Sequence, residues 1–353
     1  MAKPRATSRV RRNAFSTRVI NDWNGLPLAV VNMKSVDSSK KPPPPPLHYF
    51  KSDGALVTAL NFLVFHDEAY LAQGSQDGNL TVWDLKSCER RWSVAAHSSA
   101  CRAVEQLESG HVVTQGRNDA IRLWDVDSQQ PVASLPFIHH GFCRMAVVGG
   151  RLACPSEPAS EVALLDPRSG AEAGRLAAPA ELGTVMALAP LPGAAGARLL
   201  AVYESGGLLL WDPAQPCRPA DRLQVTTETP MCVDAATDGR GLVGTSGTAV
   251  PSFSVGADGR LQAGPPAAIT NPGVASVRLR PDGRLAALGC WDGRLRLVSG
   301  RRLRLLAALE HHTATVECVQ FAPRPVRLWK ARALLASGSA DGTAALWKVY
   351  DDS

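Results

Sequence analysis

Tryptophan, or a hydrophobic residue in its place, returns about every forty residues along this chain. Trp83-Asp84, Trp124-Asp125 and Trp211-Asp212 each end a short apolar-rich run: Leu80-Thr81-Val82, Ile121-Arg122-Leu123 and Leu208-Leu209-Leu210. Trp347 closes the same phrase later on. Weaker copies fill the gaps, with Leu165-Asp166 behind Val162-Ala163-Leu164, Phe253 behind Ala249-Val250-Pro251-Ser252, and Val298 behind Leu295-Arg296-Leu297. The steps between the seven anchors are 41, 41, 46, 42, 45 and 49 residues. A repeat of that size forms a small twisted sheet that cannot bury its own faces, so neighbouring repeats must stack.

Four strands fit each repeat, and the reading is an all-β, seven-bladed propeller over residues 46–353, preceded by a disordered basic, proline-rich extension over residues 1–45. Ring closure leaves only short edges open to unwanted pairing. Leu47-His48-Tyr49-Phe50 precedes the first complete blade, and the last blade runs out of chain at Ser353. The N-terminal segment is therefore expected to be the outermost strand of blade seven. Asp77-Gly78, Asp292-Gly293 and Asp341-Gly342 sit six residues before their anchors, where a tight hairpin needs glycine at positive φ. Pro281-Asp282-Gly283 and Asp238-Gly239 mark the preceding turn in blades six and five.

The period and the Trp-Asp signature resemble WD repeats. The resemblance implies a buried hydrogen-bonded chain of His, Ser or Thr, Asp and Trp in some blades. Blade seven spells it as His312, Ser337, Asp341 and Trp347, and blade two comes close with His97, Thr114, Asn118 and Trp124. A His-Ser-Asp set is also the alphabet of a hydrolase triad. No nucleophile elbow surrounds Ser337, and position in the repeat accounts for all three residues, so the set reads as structural and no catalytic residue is assigned.

Composition narrows the remaining classes. The 45% apolar content suits a soluble globular chain, and no apolar run reaches the length of a membrane span. The eight cysteines (Cys88, Cys101, Cys143, Cys154, Cys217, Cys232, Cys290, Cys318) show no C-x-x-C spacing. They read as small buried hydrophobes in a reducing compartment. His139-His140 and His311-His312 read as strand neighbours pointing to opposite faces, so no metal site and no cofactor are expected. Residues 1–42 hold nine Lys and Arg against Asp22 and Asp37, which takes +7 of the formal +6 and leaves the ring at −1. A near-neutral ring argues against direct nucleic-acid binding. Blade six is the basic exception, with Arg278, Arg280, Arg284, Arg294, Arg296, Arg301, Arg302 and Arg304 against Asp282 and Asp292. Those arginines read either as a solvated face or as a docking face for acids. The docking expectation places Trp291 as an exposed apolar anchor, with Arg280, Arg294 and Arg296 pairing with a partner's carboxylates.

Within the extension, Arg12-Asn13-Ala14-Phe15-Ser16-Thr17-Arg18-Val19 and Trp23-Asn24-Gly25-Leu26-Pro27 resemble the tail of a non-LTR retrotransposon reverse transcriptase. No catalytic carboxylate motif accompanies that phrase, so it reads as an exonised fragment or a gene-model error. A mitochondrial presequence over residues 1–20 and a weak nuclear signal at Arg9-Val10-Arg11-Arg12 are the rival readings. The run Pro42 to Pro46 is a stiff spacer.

A more specific resemblance runs from about Pro46 to Tyr350. Gly141-Phe142-Cys143-Arg144, Asn271-Pro272-Gly273-Val274-Ala275, Gly289-Cys290-Trp291-Asp292-Gly293 and Gln115-Gly116-Arg117-Asn118-Asp119 are similar to the WD-repeat family of guanine nucleotide-binding protein subunit beta-like protein 1, grouped with ASTRA-associated protein 1. Val298 departs from the usual aromatic, and Arg327-Leu328-Trp329-Lys330 lengthens a turn. The resemblance implies a non-enzymatic scaffold, monomeric within a larger complex in cytoplasm and nucleus. Its implied partners are kinase-maturation co-chaperones and RuvB-like ATPases, serving phosphatidylinositol-3-kinase-like kinases or a chromatin-linked assembly. No small-molecule substrate is implied. The missing heptad helix argues against a heterotrimeric G-protein role. Trp83-Asp84-Leu85-Lys86 keeps a second class open, a substrate receptor of a cullin-type ubiquitin ligase.

Overall fold

Seven four-stranded antiparallel sheets follow one another along the chain in a computed structural model that describes residues 45–139, 141–193, 196–323 and 334–349. The expected extension, apart from Pro45, lies outside the described residues, as do His140 and Arg327–Lys330. Blade one is built from Val57–Phe65, Glu68–Ser75, Asn79–Asp84 and Arg90–Ala95. Blade two uses Cys101–Gln106, Val112–Gly116, Ile121–Asp125 and Gln130–Leu135. Blade three uses Ala146–Val148, Arg151–Pro155, Glu161–Leu165 and Glu172–Ala177. Blade four uses Val185–Pro190, Leu199–Tyr203, Gly207–Trp211 and Asp221–Gln224. Blade five uses Pro230–Ala235, Arg240–Thr245, Ser252–Val255 and Leu261–Ala263. Blade six uses Val274–Leu279, Leu285–Cys290, Arg294–Ser299 and Leu305–Glu310.

Blade seven takes three strands from Val316–Phe321, Leu334–Ser339 and Thr343–Lys348, and its fourth from His48–Lys51. His48 faces Leu346 and Lys51 faces Thr343 in antiparallel register, and Leu47 donates its amide to the Leu346 carbonyl at 2.7 Å. The ring is thus closed by the N-terminal strand, as its position ahead of blade one requires.

The core is divided between blades. Seven buried apolar clusters each join neighbours, from Phe50, Leu60 and Leu346 between blades seven and one to Leu285, Leu297 and Trp347 between six and seven. Seven blades joined by seven cores make a closed ring, so every blade face finds a cover. All seven anchors fall on the third strand of their blades. One segment differs from the sequence reading. The run Ala249 to Ser252 does not enter blade five whole: Ala249–Val250 pairs with Ala267–Ala268 in a separate ribbon. Pro251 has no N–H to give a ladder and marks the break.

Candidate interaction surface

Antiparallel order fixes which parts of the ring share a face. The connection into each blade and the turn between its second and third strands lie at one end of the sheet, and the other two turns lie at the opposite end. The aspartate of each Trp-Asp pair serves the second group. Asp84, Asp125, Asp166 and Asp212 each accept a backbone amide two or three residues on, at 2.6, 2.7, 2.8 and 2.9 Å. These side chains cap their turns.

On the first face, blade seven holds a continuous chain of bonds. Trp347 Nε1 donates to Ser337 Oγ at 2.8 Å, Ser337 Oγ lies 2.8 Å from His312 Nε2, and His312 Nδ1 lies 3.2 Å from Asp341 Oδ2. With the serine donating onward, the imidazole carries its proton on Nδ1 and gives it to Asp341. Burial alone would raise the Asp341 carboxyl, but hydrogen bonds from His312, Thr343 and the Thr313 amide outweigh it and hold it below its ordinary range. Each member is consumed by its neighbour, which suits a lock and leaves no free nucleophile.

Blade two repeats the chain with one change of residue. His97 Nε2 lies 2.8 Å from Thr114 Oγ1, and Trp124 Nε1 donates to the same hydroxyl at 2.9 Å. The acid is Asp119, 3.4 Å from His97 Nδ1, and not Asn118. Asn118 takes the left-handed turn position at φ 53° and is exposed. Burial, then the charge of Arg122, push His97 down to about 4. Blade one substitutes Gln73, whose Oε1 accepts Trp83 Nε1 at 3.0 Å.

Blade six is organised around a carboxylate. Asp292 accepts Arg296 Nη1 at 2.8 Å, Arg296 Nη2 at 2.7 Å and Asn271 Nδ2 at 2.8 Å. The Arg296 side chain is only 2% exposed. Burial opposes ionisation of Asp292, yet the guanidinium beside it keeps the carboxyl below its usual range. Arg294 reaches Asp292 and Glu310, and Arg280 pairs with Asp282 at 2.7 Å. The three arginines expected to meet a partner's acids therefore already hold acids of their own blade. The exposed indole is corrected as well: Trp291 is half-buried, and a Cβ on Gly273 would overlap its ring. Gly273 sits at φ +94°, so glycine is required there twice over. The motifs Asn271-Pro272-Gly273 and Trp291-Asp292 thus lock one to the other. Arg301, Arg302 and Arg304 stand exposed on the opposite face. Among the cysteines, Cys217 is exposed and Cys88 half-buried, against the expectation of eight buried thiols. The His311-His312 pair lies in a loop, its rings 5.2 Å apart, and not on a strand.

The channel was not legible in the sequence. In six blades the first strand bulges after its first residue, at Thr58, Arg102, Met186, Met231, Ala275 and Glu317. Arg144 follows buried Cys143 as Arg102 follows buried Cys101, and it takes the corresponding place in blade three. Its Nη2 donates to Thr58 O of blade one at 3.0 Å and to Glu317 O of blade seven at 2.9 Å, so it spans the channel. One level deeper, Arg278 donates to Gln320 at 2.8 Å, Gln320 to Asn61 at 3.2 Å and Asn61 to Glu105 at 2.9 Å. Burial raises the Glu105 and Asp234 carboxyls, with Arg278 acting against it in both. The Phe142 ring makes cation–π contact with Arg102 and Arg117, its centroid 5.3 and 4.7 Å from their guanidinium carbons. Arg102 Nη2 also donates to Phe142 O at 3.1 Å.

Comparison with known sequences agrees with this architecture. Residues 303–348 match the family model described as WD domain, G-beta repeat. The chain is 31% identical over 296 residues to guanine nucleotide-binding protein subunit beta-like protein 1 of Mus musculus, covering 79% of this chain and 87% of that one. It is 24% identical over 375 residues to ASTRA-associated protein 1 of Verticillium alfalfae, covering 84% and 90%. Over 355 residues it is 26% identical to ASTRA-associated protein 1 of Aspergillus niger, covering 78% and 80%. With seven blades, a closing N-terminal strand and these relatives, the chain belongs to the WD-repeat family of guanine nucleotide-binding protein subunit beta-like protein 1 and ASTRA-associated protein 1.

Proposed function

We propose that this scaffold is a non-enzymatic adaptor that assists the maturation and stability of phosphatidylinositol-3-kinase-like kinases, together with co-chaperones and RuvB-like ATPases, in cytoplasm and nucleus. The observation that carries the reading is similarity to ASTRA-associated proteins along 84% of the chain. The site chemistry is in keeping with it: each His, Ser and Asp that could form a triad is spent on a neighbouring blade element. A cullin-receptor role draws no support from the geometry, since Trp83 bonds Gln73 and Asp84 caps the turn at Lys86. Affinity purification of the tagged full chain from cells, read by mass spectrometry, tests the proposal. Enrichment of the kinases and their co-chaperones is the expected result, with kinase levels falling when the chain is depleted. Recovery of a cullin and its adaptor in their place would replace it.

A further inference from the structure

On the adaptor reading, and resting on it, we propose that the outer edge of blade six takes up an extended segment of a partner protein as an added strand. The segment it fits alternates apolar and polar residues and ends in acids.

The outermost strand of a blade pairs on one side only, so every second amide and carbonyl along it is left to solvent. Six of the seven blades guard that edge. Arg90, Arg175, Arg222 and Lys51 stand in the outer strands of blades one, three, four and seven, and Pro131 stands in that of blade two. The outer strand of blade five is only three residues long. Leu305–Glu310 of blade six is six residues long and reads Leu-Leu-Ala-Ala-Leu before its one acid. It holds no proline or glycine, and among the described residues no strand lies beyond it in the sheet. Glu310 meets Arg294 of the adjacent strand at 3.0 Å, so its charge is spent inside the blade. Leu305 is 41% exposed. An uncharged apolar edge of that length is a template for a strand from another chain.

The chemistry of the occupant follows from the turn that opens the strand. Ser299 N donates to Arg304 O at 2.9 Å, Leu303 N to Ser299 O at 2.8 Å and Arg302 N to Ser299 Oγ at 3.2 Å. Leu303 packs against the core between blades five and six, which fixes the turn from below. Arg301, Arg302 and Arg304 are exposed, so three cations stand at one end of the apolar edge. Carboxylates at the matching end of an incoming strand complement them. Antiparallel addition continues the order of the blade and places those acids at the C-terminal end of the segment, beside Arg304. A second copy of this chain suits the edge less well, since its own edge brings three more arginines and an acid that Arg294 already holds.

The purified full chain is titrated into a fluorescein-labelled peptide of alternating Val and Thr that ends in Glu-Glu, followed by anisotropy and by hydrogen–deuterium exchange. Binding should weaken as salt rises, and exchange should slow across Leu305–Glu310. Arg302→Glu with Arg304→Glu, and separately Leu305→Lys, should each weaken binding by about tenfold. Arg218→Glu, exposed on a turn of blade four, should leave it unchanged. N-methylation of one alternate set of peptide amides should abolish binding, and methylation of the other set should not. Where Leu305→Lys alters the circular dichroism spectrum, the paired arginine variant and the methylated peptides carry the test. Equal affinity for wild type and the arginine variant, slowed exchange elsewhere than Leu305–Glu310, or methylation that acts on both sets alike overturns the site. A wild-type dimer in sedimentation that Leu305→Lys dissociates, with no slowing on addition of the peptide, overturns the peptide as occupant in favour of a second copy. These readouts need no cellular partner, so their failure leaves the co-purification result standing.

Discussion

At the scale of single residues, the anchors contribute by burial and the polar set by mutual satisfaction. Trp347 is 1% exposed and lies in the core between blades six and seven. Trp347→Ala should cost about 3–5 kcal/mol in urea unfolding, as truncating a buried aromatic does. Asp341→Ala should cost less, about 1–3 kcal/mol, through the bonds left unmade around His312 and Thr313. An unfolding midpoint equal to wild type for Trp347→Ala would contradict the blade register. His97 adds a pH dependence. Its folded value of about 4 lies below the ordinary 6.5, so between those limits the unfolded chain binds a proton that the folded one refuses. Stability is lost as pH falls from 6.5 to 4, by about 3 kcal/mol at the limit, and this group adds nothing further below 4. His97→Gln should flatten that window in urea titrations relative to wild type. The position of each Trp was legible because burial and period coincide there. Asp119 was not, because spacing alone cannot tell which of two adjacent turn residues takes positive φ.

At the scale of the element, the sequence announced what repeats and hid what departs from the repeat. The hairpin glycines behave as expected, Gly78, Gly293 and Gly342 all lying near φ +80° to +90°. The docking expectation for blade six differs from the structure because spacing along the chain does not show that Asp292 reaches Arg296, Arg294 and Asn271 in space. Gly273→Ala should destabilise the protein by about 1–3 kcal/mol through positive φ and collision with the Trp291 ring, and should shift tryptophan fluorescence. The closing strand gives a cleaner test. Phe50 is 2% exposed and stacks 4.8 Å from Trp83, so it serves the core between blades seven and one. Deleting residues 1–40 should leave the melting temperature nearly unchanged, while deleting through Lys51 should lower it markedly, since Thr343–Lys348 would lose its outer partner.

At the scale of the whole molecule, the ring is held by blade-to-blade cores and by side chains that cross the channel. Arg144 ties blade three to blades one and seven, which no nearest-neighbour contact can do. Arg144→Leu should cost about 3 kcal/mol and speed hydrogen exchange in the first strands of blades one and seven. The number of blades was readable from the anchors, but the polar channel was not, because its members come from different repeats and meet only after closure. Closure itself sets an order in time. The strand His48–Lys51 and its partner Thr343–Lys348 lie about 300 residues apart, so during synthesis at about 5–20 residues per second the first waits roughly 15–60 s for the second. Through that interval the nascent chain is an open horseshoe with Phe50 and the flank of blade one uncovered. Any factor able to shelter this seam would have to act on the ribosome-bound molecule, before a finished ring exists to be recognised.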